Sequence, residues 1–143
     1  MSDFTNEFQP RNLRTDADVK GVYKELQKIA PFKDMDAPNK GIFILAMALG
    51  FSKGKKTPIK KPYTGHVNYI SLTPEERWLL RAIAISEKKD LSVLSGDNQK
   101  EIFRIAEEYA NGGIKLLYQE IKGEEFGDFI KRLESDLKSS LAT

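Results

Sequence analysis

At 143 residues, 40% hydrophobic and 31% charged, the chain has the size and composition of one globular domain, long enough to bury roughly two-thirds of its unfolded surface. It holds no cysteine and a single histidine, which excludes disulfides, thiolate metal sites and histidine-rich metal sites. The net charge of +2 hides a polarised distribution. Residues 37–74 carry Lys40, Lys53, Lys55, Lys56, Lys60, Lys61 and His66 and no acid, while the rest of the chain has 17 basic against 21 acidic residues.

Residues 1–13 read as a polar N-terminal arm. Thr15 followed by Asp16 and Asp18 predicts a helix start, with acids where the helix dipole favours them. Val19, Val22, Tyr23, Leu26, Ile29 and Ala30 then recur at helical spacing until Pro31. Residues 32–38 are a connector. The stretch 41–49 is apolar almost all round, which predicts a central buried helix, and Gly50 sits where a C-terminal glycine cap belongs. The Gly/Pro/Lys-rich segment 51–69 reads as a basic loop, with room for a short hairpin over 67–70.

Thr73, Pro74 and Glu76 predict the clearest helix start, a Thr-x-x-Glu capping box. Trp78, Leu79, Ala82, Ile83 and Ile85 are expected to form that helix's buried face. Leu91, Val93 and Leu94 suggest a short apolar plug, and Ser95-Gly96-Asp97 a turn. Residues 98–110 are amphipathic through Ile102, Ile105, Ala106 and Tyr109. Asn111-Gly112-Gly113 should end or hinge that helix, although Ala110, Ile114, Leu117 and Ile121 keep the period across it. From 124 to 141, Phe126, Ile130, Leu133, Leu137 and Leu141 form a narrow apolar seam of heptad type. The expected fold is all-α: about five helices in one compact domain, with a helical core over 14–122, a C-terminal amphipathic helix over 123–143, and the basic loop between helices two and three.

Several patterns touch on chemistry. The segment Gly50-Phe51-Ser52-Lys53-Gly54-Lys55-Lys56-Thr57 superficially resembles a nucleotide-binding phosphate loop, but only three residues separate its glycines and a lysine stands where a magnesium-binding Ser or Thr belongs. Its lysines suit phosphate contact without base readout, and Phe51, Tyr63 and Tyr69 could stack on bases of a single strand; the competing reading is a solvated loop. His66 reads as a loop histidine of no special role. Glu75 and Glu76 are explained by the capping box. Glu107 and Glu108, about 100° apart on a helix, read as a solvated face. No catalytic residue, metal site or cofactor is expected. The terminal seam can pack on its own domain or pair with another chain.

Two stretches carry a family resemblance. Leu45-Ala46-Met47-Ala48-Leu49-Gly50-Phe51, with Gly54-Lys55-Lys56-Thr57-Pro58 and Lys60-Lys61, and later Ala106-Glu107-Glu108-Tyr109-Ala110-Asn111-Gly112-Gly113-Ile114, resemble small accessory proteins associated with DNA phosphorothioation (Dnd) gene clusters and related bacterial defence systems. The resemblance implies an accessory protein working beside DNA-modifying or DNA-restricting machinery.

The expected function leans to a non-enzymatic one; a metal-dependent nuclease is the third reading, since the chain has carboxylates and a basic track but no recognisable spacing. Lys53, Lys55, Lys56, Lys60 and Lys61 would contact DNA backbone phosphates, with Gly50 and Gly54 permitting close approach. The alternative is a protein–protein interaction subunit, a homo-oligomer or part of a defence complex, assembled through Phe126, Ile130, Leu133, Leu137 and Leu141. No apolar run approaches the roughly 20 residues that cross a bilayer, and residues 1–7 lack the character of a signal peptide. The expected location is the cytoplasm, with no membrane partner.

Overall fold

A helix that is apolar on every side can only be stable where other elements surround it, and the architecture is organised around such a helix. The computed structural model describes residues 12–30, 32–94, 98–123 and 126–142, with backbone alone at 122, 123, 126, 127 and 142. In chain order it contains β1 (Asn12–Asp16), α1 (Lys20–Gln27), α2 (Pro38–Lys53), β2 (Pro62–Asn68), α3 (Pro74–Lys88), α4 (Gln99–Gly123) and α5 (Phe126–Ala142). Short 3₁₀ turns at Ala17–Val19, Phe32–Asp34, Tyr69–Ser71 and Leu91–Leu94 link them. No described helix is long and apolar enough to cross a membrane.

The central helix is α2. Ile42, Phe43, Ala46, Met47, Ala48, Leu49 and Gly50 are all buried. It runs against α4, which contributes Ile102, Phe103, Ile105, Ala106, Ile114 and Leu117 to the same core. Fully buried aromatic and aliphatic side chains of this kind each stabilise the fold by roughly 1.5–3 kcal/mol. The two helices cross closely because glycines face each other. A Cβ on Gly50 would collide with the Tyr109 carbonyl, and one on Gly113 with the carbonyl of Ala46. The Asn111-Gly112-Gly113 sequence therefore does not hinge the helix. α4 runs unbroken through it, since the close packing of the two backbones offsets the roughly 1 kcal/mol that each glycine costs in a helix interior.

Gly50 is correspondingly not a cap. α2 continues to Lys53 and ends at Gly54, whose φ of 67° is the left-handed conformation that closes a helix, with its N–H bonded back to Gly50 O and Phe51 O. The expected cap on α3 is present: Thr73 Oγ1 accepts from Glu76 N at 3.2 Å, and Glu76 Oε1 accepts from Thr73 N at 2.7 Å.

The all-α expectation needs correction. The fold is mainly α, with a two-stranded antiparallel sheet in which β1 pairs with β2, Leu13 opposite Val67 and Thr15 opposite Tyr63. The second strand of the anticipated hairpin comes from the N-terminal segment. Leu13 and Thr15 alternate inward, as a strand with one covered face requires. Thr15 therefore caps no helix. Its Oγ1 lies 3.0 Å from His66 Nδ1, while Asp16 caps the 3₁₀ turn by accepting from Asp18 N at 3.0 Å.

Two burial expectations also change. Trp78 is 56% exposed; of the expected face Ile83 is buried and Leu79 and Ile85 pack partly buried against the core, while Leu80 and Ala84 are buried beside them. Glu107 is buried at 4% because its Oε2 accepts from the backbone N of Arg14 at 2.8 Å, tying β1 to α4. Of the apolar plug, Val93 is buried and Leu91 exposed. The 1–11 part of the arm, Pro31 and the Ser95-Gly96-Asp97 turn lie outside the described residues; Asn12 and Leu13 belong to β1.

Candidate nucleic-acid interface

The segment between α2 and β2 contains no regular structure over 55–59, yet it is fixed at almost every step. Lys55 N donates to Gly50 O at 2.8 Å and Thr57 N to Glu108 O at 3.0 Å. Asn111 Nδ2 donates to Thr57 O at 3.1 Å and to Pro58 O at 3.2 Å. Lys60 N donates to Asp16 Oδ2 at 2.9 Å, and Lys61 O accepts from Ala17 N at 2.8 Å. Backbone groups that a loop would leave to water are thus paired with α2, α4 and β1. The segment is an extended strap laid across α4, and the five lysines from Lys53 to Lys61 are all exposed.

Asp16, Glu108 and Asn111 hold this strap, and residue type gave little warning of it. Asp16 read as a first-turn acid and Asn111 as a helix breaker. Burial alone would raise the Asp16 carboxyl. The backbone N–H groups of Lys60, Asp18 and Lys61, with the Lys61 charge, outweigh it and hold Asp16 below the usual aspartate range.

The lysines fall into two groups. Three face carboxylates: Lys53 Nζ lies 3.8 Å from Asp136, Lys56 Nζ 2.7 Å from Glu87, and Lys61 Nζ 3.3 Å from Asp18. Lys55 and Lys60 form no ion pair among the described residues. The Lys56 contact belongs to a small network in which Tyr109 Oη also donates to Glu87 at 2.5 Å. Burial would raise the Glu87 carboxyl, but the hydrogen bonds from Lys56 and Tyr109 bring it below its ordinary value. The Tyr109 hydroxyl is pushed up, first by burial and then by its bond to Glu87.

A cleft of about 240 Å³ opens between the strap and α4. Lys60 and Lys115 line it, but so do Asp16 and Asp18, so it has no balance of charge that would draw in a phosphate. An anion would meet the lysines from the outside.

Of the two glycines expected to permit close approach, the structure removes one. Gly50 is buried at the α2–α4 crossing, out of reach of any ligand, whereas Gly54 is exposed at the turn. Nor do the aromatic residues form a stacking row. Phe51 packs edge-on to Tyr109 with centroids 5.4 Å apart, Tyr69 is buried edge-on to Phe103, and Tyr63 contacts His66 beneath the Lys20 ammonium, which lies 3.7 Å from its ring centroid. His66 is a packing residue of β2, stacked on buried Tyr23 at 4.4 Å. Burial, and then the Lys20 charge, hold its imidazole below the usual range. No group of three or more metal-binding side chains occurs among the described residues.

The terminal seam turns inward. Leu133 is buried, and Ile130 and Leu137 pack against the core, together with Phe129, which the heptad reading passed over. Leu141 is 37% exposed, and the side chain of Phe126 lies outside the described residues. Arg132 Nη2 donates to Glu120 at 2.6 Å, and with the Lys53–Asp136 pair it ties α5 to α4 and α2.

No curated protein and no solved structure matches the chain. The family model of DNA sulphur modification system-associated protein 4 matches residues 12–140, a span that takes in β1, the strap, the glycine crossing and nearly all of α5. The chain therefore belongs to the DNA sulphur modification system-associated protein 4 family, accessory proteins of the Dnd phosphorothioation clusters.

Proposed function

We propose that this accessory protein works by holding the DNA backbone with its lysine strap rather than by chemistry of its own. The observation that carries the reading is the immobilised strap: its backbone is held to α2, α4 and β1, and with Lys53 at the end of α2 it carries five exposed lysines within nine residues. A backbone fixed in advance has little further entropy to lose on meeting a polyanion. Lysine on phosphate supplies attraction without base readout, which fits a protein that accompanies a DNA-modifying system. The Lys53 and Lys61 contacts are consistent with this, because exposed ion pairs contribute only about 0–1 kcal/mol each and can be exchanged for phosphates, whereas the Lys56–Glu87 pair is more enclosed.

Fluorescence anisotropy of a labelled duplex across a salt series tests the reading. Engagement of Lys55 and Lys60 alone gives a log–log slope of about −2, and exchange of all three pairs brings it to about −4.5. Absence of binding at low salt, or a flat slope, overturns it.

A further inference from the structure

α3 presents two faces to different surroundings. Leu80, Ile83 and Ala84 point into the core, and Glu87 meets Lys56 of the strap and Tyr109 of α4. Trp78 stands nine residues before Glu87, about 180° round the helix and roughly 13 Å along it. It is the chain's only tryptophan. Ile70, on the turn just before α3, is 63% exposed.

The charged groups beside these side chains are held in place. Arg77 Nη2 donates to Ile70 O at 3.1 Å, and its guanidinium lies 4.9 Å from the centroid of the Tyr69 ring. The Arg81 guanidinium lies 5.5 Å from the Trp78 ring centroid. Of the two acids in the first turn of α3, Glu76 is engaged by the capping box and by Lys40 at 3.3 Å. An open indole and an exposed isoleucine thus stand beside two ordered arginines.

We propose that this patch docks a partner protein, one that offers an apolar pocket to Trp78 and carboxylates to Arg77 and Arg81. Tryptophan and arginine are the residues most enriched at the energetic centres of protein interfaces, and a guanidinium binds a carboxylate through two parallel hydrogen bonds. A single-strand platform uses successive aromatic rings along a basic groove. Among the described residues, Trp78 is the only aromatic side chain that stands exposed. The patch and the strap engage opposite faces of α3, so a partner on Trp78 leaves the lysines free.

Fluorotryptophan incorporated into the full chain gives a single fluorine NMR resonance, from Trp78. The purified protein components of the same DNA sulphur modification system are titrated in one at a time, followed by an oligo-dT strand and by excess unlabelled chain. The expected result is that one protein component shifts the resonance saturably, and that Trp78→Ala and Arg81→Glu each weaken that complex about ten-fold or more by calorimetry while circular dichroism stays native. The proposal is overturned if no component moves the resonance, or if a complex forms that neither substitution weakens. It is equally overturned if oligo-dT or the chain itself produces the shift, which would make the patch a nucleic-acid or homodimer surface.

Discussion

The lysine strap and the outer face of α3 both look onto solvent, yet they are built in opposite ways. In the strap the backbone is fixed by hydrogen bonds to α2, α4 and β1, and the lysine side chains extend freely or rest on exchangeable carboxylates. On α3 the backbone is an ordinary capped helix and the side chains are what is ordered, Arg77 on Ile70 and Tyr69, Arg81 on Trp78. Free charges on a fixed track suit a ligand whose charge repeats and whose details vary. Fixed side chains around an open indole suit a partner of one shape.

The sharpest way to break the comparison is to remove what both regions rest on. Gly113→Val drives a side chain into the Ala46 carbonyl at the α2–α4 crossing, and a loss of about 3 kcal/mol or more is expected in denaturant melts; a loss under about 1 kcal/mol would mean that the two helices can separate there at little cost. Asp16→Ala separates the two regions. It removes the acceptor for Lys60 N and Asp18 N, which should cost about 1–2 kcal/mol. Amide exchange should quicken at Lys60 while α3 keeps its protection, and equal changes in both would contradict the pinning role.

A pH series tests the anchor of β2. The folded state holds His66 below its unfolded value of about 6.5, so the unfolded chain takes up the proton more readily. This contribution is fully present above that pH and declines as the pH falls through it. His66→Phe should therefore show a flatter stability profile between neutral and mildly acidic pH, and identical profiles would mean that the imidazole does not titrate with folding. The smallest effect is expected from Trp78→Ala. An exposed side chain that supports no core should change stability by less than about 0.5 kcal/mol.

What the sequence reveals follows from where the deciding interactions lie. The α3 cap is legible because Thr73 and Glu76 satisfy each other within one turn. The apolar run of α2 announces its own burial, and the acid-free window announces a basic segment between α2 and β2, though not that Asp16, Glu108 and Asn111 pin it. β1 is not legible, since its partner β2 lies some fifty residues on and its irregular register blurs the alternation. Trp78 shares an arc of α3 with apolar neighbours, and only the placement of α4 and α5 decides which of them face inward. Glu107 looks solvated because the donor that buries it, the Arg14 backbone, comes from an element ninety-three positions away.

The most direct measurement is the salt dependence of duplex binding for the wild-type chain beside a Lys55→Gln, Lys60→Gln double variant. The slope is expected to flatten by about 1.8, the share of two phosphate contacts, with the fold intact. A slope that does not change would place the DNA elsewhere on the molecule and contradict the strap as its track.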